Sequence, residues 1–353
     1  MNWRVDVHDL PLSTPFGIAR GTSATSECVT VELTHEGTTG YGAAAPSEYY
    51  GETVTGVAET IPALLETVAG VGDPHAGQRI ERLLHEAAPE AAAARSAVTV
   101  AVADLAARQL GVPLYRQWGL DPERVPPTTY TVGIDPPERM AEKASAAVDA
   151  GFQRLKIKLG TDDDRARFEA VRDVAPDAEL RVDANAAWDA DAAVEAAEWL
   201  EDGGVTLLEQ PVPADDIEGL RRVTETTTIP VCADESCQTA ADVPRVADAC
   251  DVVNAKLVKC GGPRAARRLI HAADAGGLAT MLGCMVASSA AIAAAVHLAP
   301  LVEYADLDGA LLLDSDPYEG VPITGDQFDL GAVGAGTGVR PNREWGQNGR
   351  QAD

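Results

Sequence analysis

Basic residues are scarce in this chain: 28 Lys+Arg stand against 55 Asp+Glu over 353 residues, for a formal charge of −27, and lysines are few. The acids are spread along the whole length and form no tail, so a surface of this sign argues against nucleic acid as a partner. Dispersed negative charge with abundant alanine fits adaptation to high salt, where an acidic surface stays solvated and its self-repulsion is screened. Cysteine occurs only at 28, 232, 237, 250, 260 and 284, with no CxxC pair and no disulfide-like framework, so reduced thiols are expected. An apolar signal region is also missing from Met1-Asn2-Trp3-Arg4-Val5-Asp6, and a cytoplasmic protein is expected. The segment from Leu278 to Val302 contains no Asp, Glu, Lys or Arg. Gly283, Ser288, Ser289 and His297 interrupt it, so it reads as a buried strand and a buried helix, with no membrane implied.

A chain of this length suits a large domain with a smaller one. Residues 1–125 read as an α+β domain. Val29–Thr34 and Thr39–Ala43 flank a turn at His35-Glu36-Gly37-Thr38, and an alanine-rich helical region runs from about Gly56 to Leu110. Pro126-Pro127 marks the boundary. In residues 126–319 strand and helix patterns alternate, with strand-like runs near 128–133, 155–158, 180–183, 206–209, 230–234, 252–256, 279–283 and 303–308. Eight parallel strands in so short a span predict an α/β fold closed into a barrel, with chemistry at the C-terminal strand ends. Residues 320–353 no longer alternate and are expected to return to the first domain, ending in a frayed tail from Asn348 to Asp353.

Three segments run from apolar strand into acid: Leu180-Arg181-Val182-Asp183, Leu207-Leu208-Glu209 and Val231-Cys232-Ala233-Asp234. From 183 to 209 and from 209 to 234 the steps are 26 and 25 residues, about one βα unit each. Any one acid could simply cap the following helix. Regular spacing of all three favours hard oxygen ligands delivered side by side, which suits Mg²⁺ better than Zn²⁺.

In Leu155-Lys156-Ile157-Lys158 alternation turns both lysines into the barrel, and Asn254-Ala255-Lys256 delivers a third from the sixth strand. Strands two and six of eight are diametrically opposed, with the acids in the arc between them. A substrate carboxylate on the metal would hold its α-carbon between Lys158 and Lys256. One lysine could remove the α-proton and the other return one to the opposite face, inverting a stereocentre. The metal is needed to stabilise the dianionic enediolate, and Lys156 would usefully depress the pKa of Lys158. On the last strand Asp306 and Asp308 share a face at the rim and could bind an ammonium group; a turn with solvated acids before Gly309 is the plainer alternative.

With these residues in place the chain resembles the enolase superfamily, specifically its muconate-lactonizing-like branch and, within it, dipeptide epimerases of the L-Ala-D/L-Glu type. The motifs that carry the likeness are Tyr49-Tyr50-Gly51-Glu52-Thr53, Lys156-X-Lys158, Asp183-Ala-Asn185, Glu209-Gln-Pro211, Asp234-Glu-Ser236 and Asn254-Ala-Lys256. Superfamily sites are known to pair a Lys or His base with Mg²⁺. The resemblance implies a modified (β/α)₇β TIM barrel under a capping domain that the C-terminal segment completes. It implies Mg²⁺ on Asp183, Glu209 and Asp234, acid/base catalysis by Lys158 and Lys256 with Lys156 assisting, and a dipeptide α-ammonium on Asp306 and Asp308. Arg20, in the loop from Gly17 to Thr22, would meet the second side chain, which makes Ala-Glu the leading substrate. Thr131 and Cys284 are pocket candidates or ordinary rim packing. The implied partners are a dipeptide and further copies of the chain.

Two positions depart from the pattern. Ala287 and Ala44 stand where relatives often carry Glu. The first loss weakens a cycloisomerase reading more than an epimerase one. An o-succinylbenzoate synthase or cycloisomerase-type lyase of the same branch stays as the alternative, with a non-catalytic metal-binding relative behind it. An acid-sugar dehydratase is disfavoured because none of the six histidines ends a strand. The charge reading has a direct test: the melting temperature should rise as KCl goes from about 0.1 M to 2 M, the Debye length shrinking from ~10 Å to under ~3 Å. A flat or falling dependence would remove the salt adaptation.

Overall fold

The computed structural model describes residues 1–345. Its first element is one not foreseen: strand β1 (Asn2–Ile18) pairs antiparallel with β2 (Gly21–His35), which pairs with β3 (Thr38–Ala44). Prolines 11 and 15 hide β1 in the sequence, since proline in a run argues against a strand. The structure accommodates them at an edge, where the register shifts between Pro11 and Phe16. The stretch from Gly17 to Thr22, expected as a loop, is instead the tip of this hairpin. Gly17 pairs with Thr22 and Ile18 with Gly21, leaving only Ala19 and Arg20 in the turn.

Helices α1 (Val54–Val71) and α3 (Ala92–Gln109) cover this sheet, and α2 (Gly77–Ala87) packs on both. Among the described residues α1 is the one helix long and apolar enough to cross a membrane by length and composition, but Val57, Ile61, Leu64, Leu65 and Val68 are buried in the cap core. The helix α3 has no amphipathic stripe, because it is buried through most of its circumference. Its alanines let it lie directly on β3: a Cβ at Gly40 would run into the Ala101 carbonyl, and one at Gly42 into that of Ala97.

Eight parallel strands follow: β4 (Tyr130–Val132), β5 (Arg154–Lys158), β6 (Glu179–Asp183), β7 (Val205–Glu209), β8 (Val231–Ala233), β9 (Val252–Lys256), β10 (Ala279–Gly283) and β11 (Tyr304–Asp306). Each neighbours the next in sequence, and a bridge between Thr128 and Ala305 closes the ring. Side chains reinforce that seam. Leu307 N donates to Thr128 Oγ1 (2.8 Å), Thr129 Oγ1 to Asp306 Oδ1 (2.5 Å) and Thr131 N to Asp308 Oδ2 (2.6 Å). Within the ring Leu207, Cys232, Val252 and Met281 of β7 to β10 form an apolar patch beneath the strand ends, with Arg181 also buried on β6.

Register sets the height of the chemistry. Lys158 pairs with Asp183 and Asp183 with Glu209, so these three lie at one level, and Gly283 pairs with both Lys256 and Asp306, which sets a second. The C-terminal segment runs back along the cap: Leu114 N donates to Gly336 O (2.8 Å), and Trp345 sits edge-on to His8. The stretch from Asn348 to Asp353 lies outside the described residues.

Buried Asp104 of α3 ties these parts together. It accepts from Tyr41 N (2.8 Å), Arg108 Nε (2.7 Å), Thr337 N (2.6 Å) and Thr337 Oγ1 (2.9 Å). Asp104→Ala strands these donors and should lower the unfolding free energy by roughly 3 kcal/mol in chemical denaturation. A loss below about 1 kcal/mol would mean the carboxylate is not what holds the C-terminal segment to the cap.

Candidate active site

Strand ends β5 to β9 and the residues just beyond them deliver a ring of charge that water barely reaches. Asp183, Glu209, Asp234, Lys156, Lys158 and Lys256 are all buried, as are Asp306 and Asp308 across the ring. Lys158 Nζ lies 2.5 Å from Asp183 Oδ2. Lys156 Nζ is 3.0 Å from Asp183 Oδ2, 2.7 Å from Glu209 Oε2 and 2.7 Å from Asp306 Oδ2. Lys256 Nζ contacts Asp234 Oδ2 at 2.6 Å. The two lysines proposed as bases stand on β5 and β9, four strands apart in a ring of eight.

Burial and charge compete throughout. Burial alone would lower Lys156 and Lys256, but the carboxylates around each outweigh it and hold both ammoniums well above the ordinary value. Burial opposes ionisation of Asp183 and Asp234, yet Lys156 and Lys158 pull the first below the usual carboxylate range, and Lys256 and Lys259 the second. Glu209 has less cationic support: burial and the neighbouring Asp183 push it up to about 7. Burial and Asp306 do the same to Asp308.

Asp234, Asp306 and Asp308 line a cavity of about 150 Å³ at the mouth of the barrel, roofed by Ile18, Arg20 and Tyr50 of the cap, while Asp183 and Glu209 lie behind its lining, reached through Lys156 and Lys158. Lys158, Lys256, Asp306, Asp308, Thr131 and Cys284 all line it. Thr131 is more than rim packing, since its N–H and its hydroxyl both donate to Asp308 (2.6 and 3.1 Å). Cys284 has its thiol pushed up by burial and by Asp308, so it borders the cavity as a neutral group. Ala44 and Ala287 meet at a second, small cavity of about 30 Å³ beside Lys256. The two departures are thus neighbours.

Arg20 does not stand free over the cavity. Its Nη1 donates to Asn185 O (2.7 Å) and to Glu235 Oε1 (3.1 Å), and the guanidinium lies over the Tyr49 ring at 4.4 Å. Glu235, a residue the sequence reading passed over, lines the cavity with its carboxyl pushed up by burial and by Asp234. Also unforeseen are Asn254, whose Nδ2 donates to Glu209 Oε1 (2.8 Å), and Gln210, whose Oε1 accepts from Asp234 N (2.9 Å) and Ser236 N (3.1 Å). Gly283 makes room for Asn254: a Cβ there would lie 2.6 Å from its Oδ1.

Among the described residues no three His, Cys, Asp or Glu side chains converge tightly enough to hold a metal by themselves, and lysine ammoniums stand between the acids. The donor set nevertheless fits a divalent cation. Glu209 Oε2, Asn185 Oδ1, Glu235 Oε2 and Asn254 Oδ1 are buried oxygens without a hydrogen bond; the first lies near Lys156 Nζ but out of alignment. Six buried carboxylates face four buried ammoniums, those of Lys156, Lys158, Lys256 and Lys259. Hard oxygens with surplus negative charge suit Mg²⁺.

Barrel, cap and acid ring together define a class of acid/base enzyme, and family comparison agrees. Residues 4–119 match the mandelate racemase / muconate lactonizing enzyme N-terminal domain and residues 139–345 the enolase C-terminal domain-like family. The chain therefore belongs to the mandelate racemase / muconate lactonizing group of the enolase superfamily. Within that group it is 37% identical over 324 residues to the L-Ala-D/L-Glu epimerase of Bacteroides thetaiotaomicron, covering 92% of this chain and 84% of that protein. Its structure resembles the Enterococcus faecalis dipeptide epimerase complexed with Mg and L-Leu-L-Tyr (TM-score 0.88, 35% identity, 96% and 98% of the two chains). It also resembles the substrate-liganded L-Ala-D/L-Glu epimerase of Bacillus subtilis (TM-score 0.89, 32% identity, 97% and 98%).

Mg²⁺ at about a hundred times its Kd should stabilise the fold by ~2.7 kcal/mol, read as a rise in melting temperature. Asp183→Asn, Glu209→Gln and Asp234→Asn should each remove most of that rise. An undiminished rise in all three would place the metal elsewhere.

Proposed function

We propose that this protein is a Mg²⁺-dependent dipeptide epimerase that inverts the α-carbon of the second residue, L,L to L,D. The observation that carries the reading is the placement of Lys158 and Lys256 on strands four apart, both facing one cavity, with the acids in the arc between. Asp183, Glu209 and Asp234 would hold Mg²⁺, which when bound supplies positive charge to offset that developing on the substrate carboxylate as its α-proton leaves. Lys158 takes the α-proton from one face and Lys256 delivers one to the other, or the reverse in the opposite direction. Lys156 remains an ammonium among Asp183, Glu209 and Asp306 and stabilises negative charge in the site.

The α-ammonium of the dipeptide is assigned to Asp306 and Asp308, which border the cavity from the end of β11, four strands from the Glu209 strand β7. The same pair helps close the barrel seam, so its geometry is held independently of substrate. This ammonium site favours an epimerase over a lyase or cycloisomerase, which would have no use for it. Ala-Glu is the leading substrate, on the strength of Arg20 at the cap tip. Both of its hydrogen bonds use Nη1, which leaves the rest of the guanidinium for a side-chain carboxylate, although Glu235 tempers its charge. We divide the chain into a cap (1–125), a catalytic barrel (126–319) and a C-terminal return (320–353). Six thiols without a disulfide among the described residues support a reducing, cytoplasmic setting.

The test is mass spectrometry of a pooled L,L-dipeptide library incubated with the protein and Mg²⁺ in D₂O at high salt. Deuterium should enter the α-carbon of the second residue, stop on chelation, and fall about tenfold or more in the isosteric Asp308→Asn. No incorporation into any dipeptide by folded, metal-bound protein would overturn the epimerase reading.

A further inference from the structure

Lysine is the rarest charged residue here: the chain has five, at 143, 156, 158, 256 and 259. Lys143 is at the surface, on Asp135 and the Pro15 carbonyl. The other four are buried at the acid ring, and only Lys259 has no part in the chemistry above. It leaves β9 through the helical turn Leu257–Cys260 and folds back beneath the end of β8. Its side chain is 0% exposed. The ammonium meets Asp234 Oδ1 (2.5 Å), Asp234 O (2.7 Å), Asn254 O (2.9 Å) and Cys237 O (3.1 Å).

Each oxygen of Asp234 thus has its own ammonium: Lys256 on Oδ2 at the cavity, Lys259 on Oδ1 behind it. The two cations differ in access. Lys256 borders the cavity and must leave Asp234 to reach a substrate, whereas Lys259 lies outside that lining and is enclosed by protein oxygens. A clamp on backbone carbonyls alone would need no charge. Burying an ammonium is costly, and here the carboxylate is what offsets the cost.

We propose that Lys259 is a positioning residue acting through Asp234: it fixes the carboxylate with Oδ1 turned away and Oδ2 presented to the acid arc, so that the ligand stays oriented when Lys256 moves to substrate. Through Asn254 O it also steadies the residue whose side chain holds Glu209, and so reaches two of the three acids. This rests on the metal site of the proposed function. Groups that orient metal ligands from behind typically contribute 10–100-fold to metal affinity.

The test is Mg²⁺ titration calorimetry on the full chain, comparing wild type with Lys259→Met and Asp234→Asn. Lys259→Met should weaken Mg²⁺ binding about 10–100-fold, and the Mg²⁺ concentration for half-maximal dipeptide turnover should rise in step. Wild-type affinity in Lys259→Met, with affinity lost in Asp234→Asn, overturns the role of Lys259 and leaves the metal site standing. Wild-type affinity in both overturns the site itself. If Lys259→Met fails to fold, the Asp234→Asn/Lys259→Met pair decides: recovered folding shows that Lys259 acts on the Asp234 charge, and no recovery overturns it.

Discussion

Everything at the mouth of this barrel depends on keeping six carboxylates ionisable out of water. Isolated buried charges are prohibitively costly, so each must find a counter-charge or a hydrogen bond. The four lysines share this work unevenly. Lys156 spans Asp183, Glu209 and Asp306, and Lys256 and Lys259 divide the oxygens of Asp234. Where cationic support runs short, at Glu209 and Asp308, the carboxyl is pushed up to about 7. The surplus of negative charge that makes the ring costly is also what suits it to a divalent cation.

The scaffold meets this cost by placing the charges at strand ends, over the apolar patch of β7 to β10, and then roofing them. Parallel register sets the level of Lys158, Asp183 and Glu209. The roof comes from the far end of the chain, the tip of the β1–β2 hairpin, whose Arg20 bonds to Asn185 O and Glu235. Cap and barrel are therefore linked at the site by one guanidinium as well as by α3 and the C-terminal segment. Asp306 and Asp308 are likewise shared, facing the cavity on one side and bonding Thr129 and Thr131 across the seam on the other.

Much of this was legible beforehand because its signals are local. Period-two alternation turned Lys156 and Lys158 the same way, and acids at the ends of apolar runs one βα unit apart marked the ring. The eight strands fell where their apolar runs lay, since barrel strands buried on both faces carry a strong signal. The β1–β2 hairpin was not legible because its prolines speak against a strand and only its pairing with β2 rescues it. Glu235 and Lys259 were in plain view beside recognised residues. Nothing in a one-dimensional pattern separates a lysine that faces the cavity from one three positions later that reaches behind it.

The sequence by itself determined the barrel, the level of its acids and the opposition of its two lysines, because strand alternation and repeat length depend on nearest neighbours along the chain. Only the tertiary structure decided which ammonium serves which oxygen, that Arg20 is held by Glu235, and that Asp306 and Asp308 also close the seam. Those pairings join residues up to 215 positions apart. Their partners are chosen by packing and by the need to satisfy buried charge, and neither is written in local order.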